Sequence, residues 1–196
     1  KLSGNKNESK LYEKKALALK KELQNQLWDK RRNFFLVMFR DDEVDDQGNK
    51  IKKNTRIYDS GKFSGNPHGR ELAGCVPWAF NLPDAGFEKA WKFLMDPNYF
   101  FADYGPTTVE RNDPLFLLKN SCCWWSGQSW PFATTQTLKA MANLLHNYDQ
   151  KHVSKDDYYK LIDIYAKSHR KDGKPYIAEA LHPDSGKWDH HDFYYR

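Results

Sequence analysis

The chain has 196 residues, 39% hydrophobic and 15% aromatic, enough for one domain whose core leans on rings rather than aliphatics. Its net charge of +5 is the difference between 31 basic and 26 acidic residues. Much of the excess precedes Arg32, opposite an apolar stripe of Ala16, Leu19, Leu23 and Leu27, which argues for a solvated helix face and against a nucleic-acid surface. No run reaches the roughly 18 apolar residues of a membrane span. The three cysteines, Cys75, Cys122 and Cys123, are odd in number and lack zinc-site spacing.

In chain order, the apolar stripe predicts a first helix from Leu11 to Trp28. A polar excursion follows over residues 41–69, rich in Asp, Asn, Lys and Gly, with a short hairpin expected near "TRIYDSGKF". Asp84 is a candidate cap for a second helix carrying Phe87, Ala90, Trp91 and Leu94 on one face. Pro131 opens a third, with Leu138, Met141, Leu145 and Tyr148 at helical spacing. Ser154 with Asp157 has the form of a capping box for a fourth, and Lys171-Asp172-Gly173 reads as its end. Long aromatic loops alternating with amphipathic helices suit an all-α toroid better than a bundle with short turns.

The loops share a chemical vocabulary. "HGRELAGCVPWAFNLP" offers Arg70, Glu71 and Trp78; "FFADYGPTTVERNDP" offers Thr108, Glu110 and Asp113. "SCCWWSGQSWPF" places Trp125, Gly127, Gln128 and Trp130 just before the helix of Pro131, and "YIAEALHPDSGKW" brings Glu179. Sugars ask for this mixture, since their C–H faces stack on rings and their hydroxyls take hydrogen bonds from charged groups. Glycosidic cleavage adds a need for paired carboxylates. Arg70 and Glu71 could equally form a structural ion pair, and the loop tryptophans could seal a core instead of lining a pocket.

The same stretches resemble the six-hairpin glycosidases, which include the processing α-glucosidases of glycoside hydrolase family 63, the trehalases and the mannosylglycerate-hydrolase-like enzymes. "WWSGQSWPFATTQTL" looks like their W-x-G-x-x-W-P loop and helix. "YIAEALHPDSGKW" resembles their late Glu motif and "LQNQLWDKRRNFF" their L-W-D helix end, with "GRELAGCVPWAFNLPD" and "YGPTTVERNDPLF" in order between. The likeness runs from about Leu11 to Trp188. It implies the C-terminal half of an all-α (α/α)6 toroid over residues 1–196, and an inverting glycoside hydrolase with Glu179 as general base. Trp125, Gly127, Gln128 and Trp130, with Trp78, Arg70, Glu71 and Glu110, would contact the sugar. Ser126 stands where the family often has Arg, which bears on substrate identity.

The family's general acid is an Asp ahead of the L-W-D helix, and nothing in residues 1–10 resembles it. The expected partners are therefore a carbohydrate substrate and an upstream half of the same catalytic domain, with no nucleic acid, membrane, metal or cofactor. His190, His191 and Asp192 suggest a metal only weakly, because adjacent side chains diverge. Extended polymer substrates lean the location towards the secreted or periplasmic. A non-catalytic carbohydrate-binding toroid would keep the tryptophans without needing Glu179. A toroid lyase or epimerase would lack the late Glu-Pro-Ser-Gly pattern.

Overall fold

The computed structural model describes residues 4–118, 125–177 and 179–187. Helix α1 spans Lys6–Glu22, starting five residues before Leu11, because Asn5 caps it by accepting from the Glu8 N–H at 3.1 Å. A π-helical turn, Leu23–Leu27, ends it and delivers Trp28 in extended conformation. Strands β1 (Trp28–Asp29) and β2 (Phe34–Phe35) then pair antiparallel, Trp28 opposite Phe35. Trp28 is thus a core residue on a strand, where a helical position was expected. Helix α1 buries no residue of its own, and Leu11, Tyr12, Leu17 and Leu19 are all more than half exposed.

The excursion after residue 40 does contain a hairpin, displaced from the expected place. Strands β3 (Glu43–Val44) and β4 (Lys50–Ile51) form it. Asp45 organises its turn, accepting from the Gln47 and Asn49 backbone N–H at 2.9 and 2.8 Å, and from the Lys62 N–H at 2.7 Å. These donors hold its carboxyl at about 2, below the ordinary range. "TRIYDSGKF" begins with an antiparallel bridge from Arg56 to Met38 and goes on as turns in which Tyr58 is left-handed, φ 63°.

Two 3-10 helices, Leu72–Phe80 and Glu88–Phe93, carry the centre of the core. The second replaces the helix expected from Asp84. Its apolar residues fall at spacings that an i+3 turn serves as well as an α-helix does, so periodicity alone did not separate the two. Asp84 pairs instead with Lys20 on α1 and with Gln24 in the π-helical turn. Trp78 and Trp91 meet edge to face at 5.6 Å, Phe35 reaches Trp78 at 5.5 Å, and Phe34 stacks on Phe100 at 5.6 Å. Such ring pairs add to burial roughly 0.5–1.5 kcal/mol each.

Helix α2 (Pro131–Asn147) lies against the first 3-10 helix and buries Leu138, Met141 and Leu144. Asn143 donates to the Trp78 and Ala79 carbonyls at 3.0 Å, tying α2 to the end of the short helix, where the Trp78 carbonyl also accepts from the Asn81 N–H. Gly74 is needed where this helix crosses β2: a Cβ there would sit 2.4 Å from the Phe35 carbonyl oxygen and 2.3 Å from the Phe34 ring. Gly74→Ala should therefore destabilise by about 1–3 kcal/mol, read from urea unfolding midpoints.

Helix α3 (Lys155–Ser168) opens with the expected capping box, both bonds present between Ser154 and Asp157. It ends before Lys171-Asp172-Gly173, and that tripeptide does not cap it. Asp172 and Gly173, φ 50° and 76°, are the two-residue turn between β5 (Arg170–Lys171) and β6 (Lys174–Pro175).

The chain is accordingly not the all-α (α/α)6 toroid that the resemblance implied. Among the described residues, three antiparallel strand pairs and four isolated bridges join its irregular segments, and the helices are mixed in type. Pro77 inside the first 3-10 helix lacks the N–H a regular α-helix would use there. Short, ring-rich segments were therefore ordered by packing and cross-chain bridges rather than by long helical ladders.

Candidate functional site

Four loops that are far apart in sequence are stitched into one ribbon. Glu71 bridges Val109, Thr107 bridges Ser129, and Ser129 bridges Leu181, all antiparallel. The Leu72 N–H donates to the Thr108 carbonyl at 2.8 Å and the Thr108 N–H to the Gln128 carbonyl at 3.1 Å. Ser129 and Leu181 exchange two bonds of 2.9 Å. Directly paired residues share a face, so Glu71 and Val109 lie on one side. Glu179 precedes the last bridge by two residues and is exposed. Arg111 grips Asp184 through both oxygens, tying the second loop to the last and holding the Asp184 carboxyl below its usual range.

The tryptophan loop is built for close approach. Gly127 has φ 118°, and a Cβ there would lie 2.8 Å from the Phe116 ring; its N–H donates to Thr108 Oγ1 at 3.0 Å. Trp125 stacks on Trp130 with ring centres 4.7 Å apart. The two differ in accessibility: Trp130 is 6% exposed and Trp125 44%, beside an exposed Phe132. Gln128 is buried and its Oε1 has no hydrogen-bond partner among the described residues. Cys122, Cys123 and Trp124, like Trp188 and the His190–Asp192 stretch, lie outside the described residues.

Arg70 and Glu110 resolve as a buried ion pair. Arg70 Nη1 reaches both Glu110 oxygens at 2.9 and 2.8 Å, and its backbone N–H donates to Oε1 at 3.0 Å. The remaining guanidinium N–H groups donate to the Arg32 carbonyl at 3.0 and 2.9 Å, and the plane lies 4.2 Å from the Phe93 ring centre. Trp78 is fully buried between Phe35 and Trp91, with no face open to a ligand. The sequence placed Trp78 on a loop; it is inside a 3-10 helix.

Glu71 is different. It is only partly buried. Burial first, and the neighbouring Asp113 second, raise its carboxyl to about 7. Asp113 is itself raised, chiefly by burial; its Oδ1 accepts from the Tyr58 hydroxyl at 2.8 Å, while its Oδ2 is buried without a partner among the described residues. Tyr58 and the Glu71–Asp113 proximity had no sequence signal, because the turn that delivers Tyr58 sits more than fifty residues from Asp113.

Residues 1–195 match the profile of the mannosylglycerate hydrolase MGH1-like glycoside hydrolase domain. The chain belongs to this family. A solved structure named as a sialidase aligns over 95% of the chain at 36% identity and a TM-score of 0.78, and the alignment covers 15% of that protein. The chain therefore spans about 15% of the length of that relative. No curated protein matches it significantly. No helix among the described residues is long and apolar enough to cross a membrane.

Proposed function

We propose that this chain forms part of the catalytic centre of a glycoside hydrolase that cleaves a glycosidic bond with inversion, Glu179 acting as general base. The observation that carries the reading is the ribbon: the loops holding the family's motifs are joined by backbone bridges, which brings Glu71, Gln128 and the residues before Leu181 to one region. Family membership supports the reaction class. The name of the long relative is not carried over, since the alignment covers 15% of it.

In this reading Trp125 supplies a ring face for the sugar, with Trp130 stacked behind it. The unpartnered Gln128 Oε1 accepts from a sugar hydroxyl, and Glu71, holding its proton near neutrality, donates to another. Arg70, Glu110 and Trp78 support these loops from within. Glu179 activates water by taking its proton as the water attacks the anomeric carbon, and the bond to the leaving oxygen breaks. An aspartate outside these residues protonates that oxygen, as the family's acid motif lies ahead of the L-W-D helix.

A panel of glycosides tested on the complete protein checks the class, and Trp125→Ala checks the site. Because Trp125 is 44% exposed, against 6% for Trp130, its loss should weaken saccharide affinity about tenfold or more with only a small change in the unfolding midpoint. Trp130→Ala, at a buried position, should lower both. Equal affinities in wild type and Trp125→Ala would remove the ring from the site.

The Glu71 proton sets a pH dependence. Its folded value of about 7 exceeds the ordinary 4.5, so the folded chain holds the proton more tightly than the unfolded one. The stability it contributes is complete below 4.5 and is lost as pH rises through 7. Glu71→Gln, which keeps a donor without titrating, should flatten that fall. It should also extend saccharide binding to higher pH. Identical pH profiles for the two proteins would contradict the assignment.

A further inference from the structure

A cavity of about 430 Å³ lies between residues of the stretch 39–63 on one side and Leu115, Leu118 and Ser126 on the other, within the size range of small-molecule sites. We infer that it is the leaving-group subsite of the hydrolase, and that it accepts an apolar, ring-sized aglycone rather than a second sugar. The inference rests on the hydrolase reading and narrows its substrate from oligosaccharides to glycosides whose leaving group carries an apolar ring.

Two observations carry it. The cavity adjoins the candidate sugar site at two residues: Ser126 lines it next in the chain to Trp125, and Tyr58, also in its lining, donates to Asp113. The carbonyl of Ser126 also accepts from the Leu117 N–H at 2.7 Å, which fixes the wall to the tryptophan loop. The second observation is the chemistry of the lining. Its walls are Phe39, Ile51, Ile57, Phe63, Leu115 and Leu118.

Apart from Ser126, the polar side chains among the described lining residues already have partners. Tyr58 donates to Asp113 at 2.8 Å. Asp45 is taken by backbone N–H groups and by Asn49. Lys62 pairs with Asp46 at 3.4 Å, and Ser60 Oγ accepts from the Lys52 N–H at 3.3 Å. A sugar ring would bring hydroxyls into this space and leave them short of partners, a cost of roughly 1–3 kcal/mol for each. An aromatic or branched aliphatic group loses nothing there and gains by burial. Ser126 Oγ is buried without a partner among the described residues.

The test uses the complete protein and 4-methylumbelliferone as the free probe. Fluorescence titration should show saturable binding, and the probe should compete with umbelliferyl glycosides. Leu118→Ser changes a wall residue that is 66% exposed, so folding is little affected. It should raise Kd for the probe and KM for the umbelliferyl glycoside about tenfold, while leaving KM for the matching methyl glycoside unchanged.

Hydrolysis of both glycosides with equal KM, and no probe binding, would overturn the aglycone subsite and leave the hydrolase reading standing. No hydrolysis of any glycoside would overturn the hydrolase reading and the aglycone role together. In that case saturable probe binding weakened by Leu118→Ser would still identify an apolar-ligand site.

Discussion

Glu179→Gln in the complete protein should lower kcat by about 10²–10⁴-fold while saccharide affinity changes little. Glutamine keeps the shape and hydrogen-bonding reach of glutamate but cannot take a proton from water, so the loss is that of a general base. The position is exposed, and the Leu181–Ser129 bridge that anchors its segment involves backbone atoms alone, so folding should not suffer. Steady-state kinetics on an activated glycoside measures the effect. Activity within a few-fold of wild type would transfer the base role to another carboxylate, with Asp113 and Glu71 the next candidates.

Glu110→Ala should cost about 3–5 kcal/mol of stability, because it leaves the Arg70 guanidinium buried without its counter-charge. The pair has little exposure to water, with side chains 8% and 0% accessible, so solvent does not screen the loss. Replacing both Arg70 and Glu110 by Met should recover much of that stability, since an apolar pair of similar volume removes the stranded charge. Chemical unfolding of the three variants decides between a supporting and a binding role. If Glu110→Ala left the unfolding midpoint unmoved and abolished saccharide binding, Glu110 would face the substrate.

The contrast between Glu110 and Glu71 shows what was legible in the sequence. Motif order was readable, because "GRELAG", "YGPTTVE", "WSGQSWP" and "YIAEALHP" are local patterns, and the family they implied is the one the chain belongs to. Local capping was readable for the same reason: Ser154 and Asp157 lie three residues apart and bond as expected. Pro131 likewise opens α2.

What the sequence hid depends on contacts between distant segments. Trp78 looked loop-borne, yet α2 and β2 close over it. Asp113 gains its meaning from Tyr58, 55 positions away, held in a left-handed backbone conformation. The toroid expectation failed where apolar residues three apart satisfied two helix types at once, and where Asp172-Gly173 made a hairpin turn in the place of a helix stop. The polar excursion was identified as a long irregular segment, but its Asp45-centred hairpin and its contribution to a cavity wall needed coordinates.

The central claim is an inverting hydrolysis assisted by Glu179, and proton NMR of the first sugar released by the complete protein tests it most directly. The account predicts that the anomer opposite to that of the substrate appears first and then mutarotates, with Glu179→Gln releasing neither at a comparable rate. Initial release of the retained anomer would contradict it, since that outcome requires a carboxylate close enough to attack the sugar itself.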